Sequence, residues 1–356
     1  MGIFLALAIV LWGIGWVMGV PLRTRWLSIA IVYLSVLLAL VVLPEGAGLR
    51  MALGGSVKPW LVGGGIVALG VAYVSLVAYL KHRAPRAKGT RTRNGGFSDS
   101  ELDRYARHIV LREVGGSGQR KLHKAKVLLV GAGGLGSPAI QYLTAAGVGT
   151  IGVIDDDEVE LANLQRQVIH SEDTLGMPKV FSAQQFAVRL NPHVTILPYH
   201  RRLTEDIAAD LVRDFDLVLD GSDNFDTRYM VNRVCATEGK PLISGAIAQW
   251  EGQVSLYDAT AAHGCFQCTF PEAPAAGSVP TCSEAGVVGP LPGVIGTIMA
   301  LEAIKHITGA GRTLAGQLLI FDGLYGETRK VALHPREDCP ICGNAAKGLE
   351  AGAPQA

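Results

Sequence analysis

The feature that most constrains the fold is an apolar segment that runs into a glycine-rich turn and then into a second apolar segment. Residues 126–130 are typical of a β-strand, and Gly131-x-Gly133-x-x-Gly136 follows them. In such a loop the glycines permit a tight turn, a close approach of backbone N–H groups to phosphate, and packing of helix on strand. The positive end of the next helix then points at the anion. The loop predicts a nucleotide site, which nicotinamide-dependent and adenylating enzymes share.

Composition divides the chain into an apolar N-terminal part and a mixed C-terminal part. The 356 residues can form one large or two smaller domains, and the net charge of +1 gives no overall attraction to nucleic acid. Three uncharged stretches, 2–20, 26–43 and 59–80, approach the roughly 20 residues that cross a bilayer. The first lacks the basic start and cleavage site of a signal peptide. We therefore predict a membrane anchor of three transmembrane helices in residues 1–81.

Basic residues around these stretches predict the orientation of the anchor. They cluster after the third stretch and between the first two, at Lys81, Arg83, Arg86, Lys88, Arg91 and Arg93 and at Arg23 and Arg25. The excess of positive charge places the N-terminus outside and the large C-terminal region in the cytoplasm of a multi-pass inner-membrane protein. We expect residues 82–98 to form a basic, solvated linker and residues 346–356 to form a disordered tail.

From Ser98 onward, apolar runs alternate between strand and helix character. Strands are predicted at 126–130, 150–154, 194–199, 217–219, 241–244, 254–257 and 317–321, and helices at 135–146, 179–190, 206–213, 227–238 and 294–307. Such alternation implies right-handed crossovers between parallel strands. We therefore predict an α/β domain at 99–345, with a Rossmann-like, mostly parallel sheet and flanking helices.

An acidic residue follows the second predicted strand. Asp155 lies about 20 residues beyond the glycine loop, where a carboxylate can accept hydrogen bonds from a ribose hydroxyl. The alternative is a carboxylate that binds the amides of its own loop. A dehydrogenase fits up to this point, but it does not account for the run NLQRQ at 163–167 or the pair Pro178-Lys179.

These motifs together resemble the MoeB/ThiF/HesA family, bacterial relatives of ubiquitin-activating enzymes. The resemblance covers about residues 102–342 and leaves out the apolar N-terminal part. It rests on motifs in the family's order: Arg104-Tyr105-x-Arg107, GAGGLGS, Asp155, NLQRQ, Pro178-Lys179, Asp220-Gly221-Ser222-Asp223-Asn224, the run TCSEAGV at 281–287 and two Cys-x-x-Cys pairs. It implies an adenylyltransferase that uses ATP and Mg²⁺ to activate the C-terminal glycine of a ubiquitin-like or sulfur-carrier protein.

The resemblance also implies roles for individual residues. Arg166 and Lys179 would bind phosphates, Asp223 would accompany Mg²⁺, and Arg107 would reach the nucleotide of a partner protomer in a homodimer. Adenylation brings two anions together, so it needs charge neutralisation and in-line geometry and no enzyme nucleophile. The implied cofactor-binding residues are Gly131, Gly133, Gly134, Gly136, Asp155, Asn163, Gln165, Arg166, Lys179, Asp223 and Asn224.

Taken singly, these residues leave simpler interpretations open. Arg166 or Lys179 could be a solvated surface cation. Arg107 could pair with Asp103 or Glu101 near a helix start. Asp223 follows a predicted strand, where aspartate often binds turn amides. The order of the motifs favours the nucleotide site over these alternatives.

Two cysteine pairs predict a metal site. Cys265-x-x-Cys268 and Cys339-x-x-Cys342 offer the four thiolates of a closed structural zinc site, although either pair alone could be a redox dithiol. The resemblance favours Zn²⁺. The metal would then tie the C-terminal region to the domain and take no part in chemistry.

The two remaining cysteines have separate interpretations. Cys282 lies in a polar loop at a position that some family members use in sulfur or thioester chemistry, so it is either a catalytic thiolate or an idle loop residue. Cys235 lies on an apolar helix face and is predicted to be core. No sulfur-supplying rhodanese domain follows Cys342, so we expect a separate sulfur donor.

The sequence therefore predicts a membrane-anchored, zinc-containing adenylyltransferase with a carrier ending in Gly-Gly. One alternative is a tRNA-modifying cyclase of the same superfamily, which shares the nucleotide site but typically lacks the paired cysteines. Another is a non-catalytic ATP-binding membrane scaffold. A nicotinamide oxidoreductase would need a catalytic acid or hydride-acceptor site, which the sequence lacks. No nucleic-acid partner is expected, because the charge balance gives no basic stripe.

Overall fold

The computed structural model describes residues 2–83, 96–261, 263–274 and 285–343. The chain divides into two compact units, Met1–Arg91 and Thr92–Ala356. The first unit is helical, with α1 at Gly2–Val17, α2 at Leu22–Val42, α3 at Gly48–Ala52 and α4 at Lys58–Arg83. Most of the predicted linker, residues 84–95, and the predicted tail lie outside the described residues.

The first unit corrects the prediction of three membrane spans. Within the described part, one helix is long and apolar enough to cross a membrane, Thr24–Val42, while Leu7–Val17 forms a shorter apolar helix. The predicted stretch 2–20 breaks because α1 ends at Val17 and Gly19 adopts a left-handed φ of 67°. A helix of 16 residues extends about 24 Å, less than the roughly 30 Å of a bilayer core. The stretch 59–80 lies in α4, partly beyond the described side chains.

The second unit is built on one eight-stranded sheet in the order β3-β2-β1-β4-β5-β6-β7-β8. The strands are β1 Lys126–Val130, β2 Thr150–Asp155, β3 Thr195–His200, β4 Leu217–Asp220, β5 Leu242–Ala248, β6 Glu251–Tyr257, β7 Gln317–Asp322 and β8 Glu327–Ala332. Pairing is parallel from β3 across to β5 and antiparallel from β5 to β8. The prediction of a mostly parallel sheet is confirmed.

Helices cover both faces of this sheet. They are α5 Asp99–Ile109, α6 Gly115–Lys124, α7 Gly136–Ala146, α8 Lys179–Leu190, α9 Glu205–Arg213, α10 Phe225–Thr237, α11 Phe266–Thr269 and α12 Pro290–Thr308. The seven predicted strands and five predicted helices are present, with ends shifted by a few residues. In this unit, the sequence analysis missed α5, α6, α11 and β8. Strand β8 escaped because all six of its residues are exposed, so no apolar alternation marks it.

Alternate residues of β1 enter two separate cores, one on each side of the sheet. Leu129 packs in a cluster with Ile140 of α7 and Met299 of α12. Leu128 packs in a second cluster with Val212 of α9 and Cys235 of α10. Cys235 is thus a core residue, as predicted. Since a strand covered on both faces needs apolar side chains at every buried position, β1 reads as the unbroken apolar run VLLV at 127–130, after the exposed Lys126.

The sheet order creates a crevice between the carboxyl ends of β1 and β4. The chain leaves β1 for β2 on one side and leaves β4 for β5 on the other. The loops after these strands therefore diverge and open a gap at this edge of the sheet. Open α/β sheets bind ligands at such a switch point.

Candidate active site

A cavity of about 810 Å³ occupies this crevice. Its walls are formed by the loops after β1, β2, β3 and β4, together with the β5–β6 hairpin. The predicted residues on its surface are Gly131, Gly133, Gly134, Asp155, Arg166, Lys179, Asp223 and Asn224. Residues far apart in sequence thus converge because parallel strands end at the same edge of the sheet.

The glycine loop after β1 has the tight geometry that its spacing predicts. Gly131 has a φ of 95°, which side-chain-bearing residues rarely adopt. A Cβ on Gly136 would lie 2.0 Å from the Gly131 carbonyl oxygen, so only glycine allows this packing. Among the described residues, the amides of Gly133, Gly134 and Leu135 have no acceptor. Three free N–H groups before α7 form a cradle for an anion.

Asp155 holds this loop in place. Its Oδ2 accepts a hydrogen bond from the Ala132 amide at 2.7 Å, and its Oδ1 accepts one from the Asp157 amide at 2.8 Å. Burial raises the pKa of Asp155, and the nearby Lys179 charge opposes that rise. Both oxygens of Asp155 therefore accept hydrogen bonds from loop amides, which agrees with the alternative that the sequence analysis left open for this carboxylate. Each oxygen keeps a second lone pair, so a ribose hydroxyl can still donate to it.

The two predicted phosphate-binding cations are held by neighbouring side chains. Lys179, the first residue of α8, is 4% exposed, and its Nζ lies 2.6 Å from Oδ2 of Asp157. Arg166 donates from Nη2 to Oδ1 of Asn163 at 2.8 Å. A buried ammonium needs such a partner. Lys179 is therefore no solvated surface cation, and both side chains are fixed beside the glycine loop.

The loop after β4 is shaped by a buried ion pair. Asp220 is fully buried and accepts hydrogen bonds from the amide and hydroxyl of Ser222 at 2.9 and 2.6 Å. Arg228 lies 3.7 Å from Asp220 Oδ2 and donates to the Ser222 carbonyl. Asp223, which follows Ser222, is exposed to the cavity. Asn224 then caps α10, because its side chain accepts a hydrogen bond from the Thr227 amide at 2.9 Å. The pair thus sets the turn that presents Asp223.

Several predicted site residues lie outside the cavity lining. Gly136 packs beneath the loop, Asn163 orients Arg166, and Gln165 packs against Gly289 at the start of α12. Arg107 lies on the exposed face of α5, where no ion pair or side-chain hydrogen bond engages it within the described part of the chain. Cys282 lies outside the described residues.

The cavity also contains polar residues that the sequence analysis missed. Gln167 is 4% exposed, and its Oε1 has no partner among the residues described. It belongs to the same NLQRQ run, so the motif itself was the available signal. Arg201 and Arg202 follow β3 and also line the cavity. They could have been found by asking which residues follow each parallel strand.

The four paired cysteines come together in a separate buried cluster. All four Sγ atoms lie within 4.8 Å of one another, with Cys265 and Cys339 3.7 Å apart and Cys268 and Cys342 3.3 Å apart. Tetrahedral Zn–S bonds of about 2.3 Å place sulfurs about 3.8 Å apart. Cys265 and Cys268 are 4.0 Å apart, too far for a disulfide. The donor set and spacing fit Zn²⁺.

Comparison with known proteins agrees with this architecture. Residues 105–341 match the ThiF family. The sulfur carrier protein adenylyltransferase of Thermus thermophilus is 47% identical over 252 residues, which are 70% of this chain and 93% of that protein. The SAMP-activating enzyme E1 of Haloferax volcanii is 48% identical over 68% of this chain and 90% of that protein. The adenylyltransferase and sulfurtransferase MOCS3 of Anopheles gambiae is 46% identical, and 56% of its length is covered.

Solved structures show the same fold. E. coli MccB with MccA-N7isoASN gives a TM-score of 0.61 at 24% identity, over 68% of this chain and 75% of that one. PaaA gives a TM-score of 0.59 at 23% identity, over 73% and 81%. The family match and the identity to named adenylyltransferases go further than the fold. The chain belongs to the ThiF family and is an adenylyltransferase of the E1-like ThiF/MoeB type.

Proposed function

We propose that this enzyme uses ATP to adenylate the C-terminal glycine carboxylate of a ubiquitin-like or sulfur-carrier protein. The proposal rests on one observation: the free amides of the glycine loop, Asp155, Lys179 and Asp223 converge on one cavity. The relatives named for sulfur-carrier and SAMP activation support the choice of substrate.

In the proposed reaction, a carboxylate oxygen of the carrier attacks the α-phosphorus of ATP. A new P–O bond forms, the bond to the β-phosphate breaks, and pyrophosphate leaves with that electron pair. The amides of Gly133 and Gly134 hold a phosphate, and Arg166 and Lys179 offset the charge that develops on the leaving group. Asp155 orients the ribose. The enzyme thus acts by position and charge, without a nucleophile of its own.

Asp223 is suited to hold Mg²⁺. Its carboxylate lines the cavity, is exposed, and has no ion pair or hydrogen bond among the described side chains. Magnesium prefers such oxygen ligands and binds through one or two carboxylates together with phosphate oxygens. A bound Mg²⁺ supplies positive charge that reduces the repulsion between the two anions. Asp220 and Arg228 keep Asp223 in place for this role.

We further propose that the enzyme works as a homodimer in which Arg107 reaches the partner's nucleotide. Arg107 is exposed and without a side-chain partner in the described structure, and it lies outside the lining of its own cavity. Nearby Val110 and Leu111 are 74% and 49% exposed, which suits contact with a second protomer. Mixing Arg107→Ala chains with Asp223→Ala chains tests this, because a shared site restores activity only in the mixed dimer.

The N-terminal unit is proposed to anchor the enzyme in the inner membrane through α2, with the catalytic unit in the cytoplasm. Six basic residues between 81 and 93 follow α2, against Arg23 and Arg25 at its N-terminal end, and this excess supports the proposed side through the positive-inside rule. Sulfur would come from a separate donor, and Cys282 is the candidate for covalent transfer. Protease digestion of intact and permeabilised spheroplasts tests the orientation: cleavage of the catalytic unit in intact spheroplasts would contradict it.

ATP–pyrophosphate exchange with the full-length chain and a small Gly-Gly-ending carrier tests the proposed reaction. We expect exchange that needs the carrier's last glycine and falls about 100-fold or more in Asp223→Ala. The matched control is Asp226→Ala, an exposed carboxylate on the first turn of α10 outside the cavity, which should keep exchange. ATP binding without carrier-dependent exchange would instead favour the scaffold hypothesis.

A further inference from the structure

The cavity contains a guanidinium to which neither the motifs nor the proposed mechanism gives a role. Arg202 lies two residues after His200, the last residue of β3, and His200 is paired with Asp155 in the sheet register. The following residue, Leu203, is 6% exposed and packs in the core cluster beneath β1 and α9. The backbone is therefore anchored on both sides of Arg202, and its side chain lines the cavity.

Arg202 differs from three other cations of the cavity, which already have side-chain partners. Lys179 pairs with Asp157, Arg166 with Asn163, and Arg228 with Asp220. Arg201 likewise has no side-chain hydrogen bond or ion pair in the described part of the chain, but Arg202 is the one that adjoins the buried Leu203. Across the described ranges, the Arg202 side chain has neither a hydrogen bond nor an ion pair, so its planar face and donors are available to a ligand.

The order of the strands indicates which part of a nucleotide would lie beside Arg202. Strands β1, β2 and β3 are consecutive neighbours, about 4.8 Å apart. The free amides that suit phosphate follow β1, and Asp155, which suits ribose, ends β2. A nucleotide with its phosphates at β1 and its ribose at β2 would, if it continues in the same direction, bring its base over the end of β3.

We propose that Arg202 contacts the nucleobase of ATP through its guanidinium plane and thereby sets the affinity of the enzyme for the nucleotide. A guanidinium is flat and weakly hydrated, so it stacks on aromatic rings more readily than an ammonium does. This inference rests on the proposed binding of ATP in this cavity. It assigns Arg202 to the base and leaves the phosphates to the glycine loop, Arg166 and Lys179.

The test compares two ligands on the full-length chain by calorimetry: ATP, and inorganic tripolyphosphate, which has the phosphates without the base. We expect Arg202→Gln to weaken ATP binding roughly 5- to 30-fold, the effect of losing a stacked cation, and to leave tripolyphosphate binding unchanged. Arg202→Lys should recover little, since it restores the charge without the plane. Arg189→Gln, an exposed arginine on α8 outside the cavity, is the control and should leave both ligands unaffected.

Three results would overturn the proposal. Equal weakening of ATP and tripolyphosphate would assign Arg202 to the phosphates. Full recovery of ATP affinity in Arg202→Lys would show that Arg202 acts through its charge alone. Unchanged ATP binding in Arg202→Gln would show that Arg202 is a solvated side chain without a role in binding. Because ATP binding is measured without a carrier, these results are independent of whether exchange occurs. Failure of the proposed function would appear separately, as normal ATP binding with no carrier-dependent exchange.

Discussion

The nucleotide cavity and the cysteine cluster are built on opposite physical principles. In the cavity, neighbouring groups hold Asp155 and Lys179 in place, while Asp223 faces open space. Polar groups of the cavity are therefore available to bind a ligand. In the cluster, Cys265 and Cys268 meet Cys339 and Cys342, each 74 residues further along the chain, in the protein interior. Changes in the cavity should therefore alter binding and rate, whereas changes in the cluster should alter stability.

The largest effect is expected for Gly136→Ala in the cavity region. The new Cβ would meet the Gly131 carbonyl oxygen at 2.0 Å, and both atoms belong to backbone, so the loop must move. We expect ATP affinity to fall more than about 100-fold, because the free amides lose their common direction. Gly293→Ala on α12 is the matched control, since its Cβ meets nothing within 4 Å. Retention of ATP affinity within threefold would contradict the packing role of Gly136.

For the cysteine cluster, we expect Cys339→Ser to remove bound zinc and to lower the free energy of unfolding by more than about 4 kcal/mol. Metal analysis and denaturant unfolding measure the two effects. Cys235→Ala is the control, because Cys235 is buried in the α10 core and should affect packing without loss of metal. ATP affinity of the folded fraction should stay unchanged. If Cys339→Ser keeps its zinc, or if its folded fraction loses ATP binding, the distinction between the two regions fails.

Arg228 lines the cavity, but we expect its loss to lower the stability of the fold, as the loss of a cysteine in the cluster does. Removing this side chain in Arg228→Met leaves the Asp220 carboxylate buried without its ion-pair partner, which costs about 3 kcal/mol of folding free energy. Exchange should fall as well, because Ser222 loses the donor that shapes the turn before Asp223. The double variant Asp220→Asn, Arg228→Met should regain part of the stability. Additive losses in this cycle would show that the pair is not coupled.

The smallest effect is expected at Asn224. Its side chain caps α10, so Asn224→Ala should reduce the free energy of unfolding by about 1 kcal/mol. Asn224→Ser keeps a capping oxygen and should lose less. Exchange at saturating ATP should change by less than threefold if Asn224 acts through the helix alone. If Asn224→Ser loses as much exchange activity as Asn224→Ala, the side-chain amide itself binds the nucleotide.

Much of the parallel half of the sheet was predictable because each element there has a local pattern. Strand β1 is a short apolar run, and the glycines after it have a spacing that only one kind of loop requires. The antiparallel edge of the sheet was harder to predict from the sequence, because β8 is exposed along its whole length and is positioned by pairing with β7. The membrane prediction erred because hydropathy alone did not reveal that α1 ends at Val17.

The sequence by itself determined the strand and helix periods, the glycine loop, the motif order and the two cysteine pairs, because all of these depend on near neighbours in the chain. Only the tertiary structure decided which groups meet. It paired Asp155 with the Ala132 amide, Lys179 with Asp157, and one cysteine pair with the other. It also brought Arg202 to the cavity. The contacts in the cavity depend on how parallel strands end together at one edge, and the cysteine contact depends on how the segment after β8 returns to α11. No short segment specifies either.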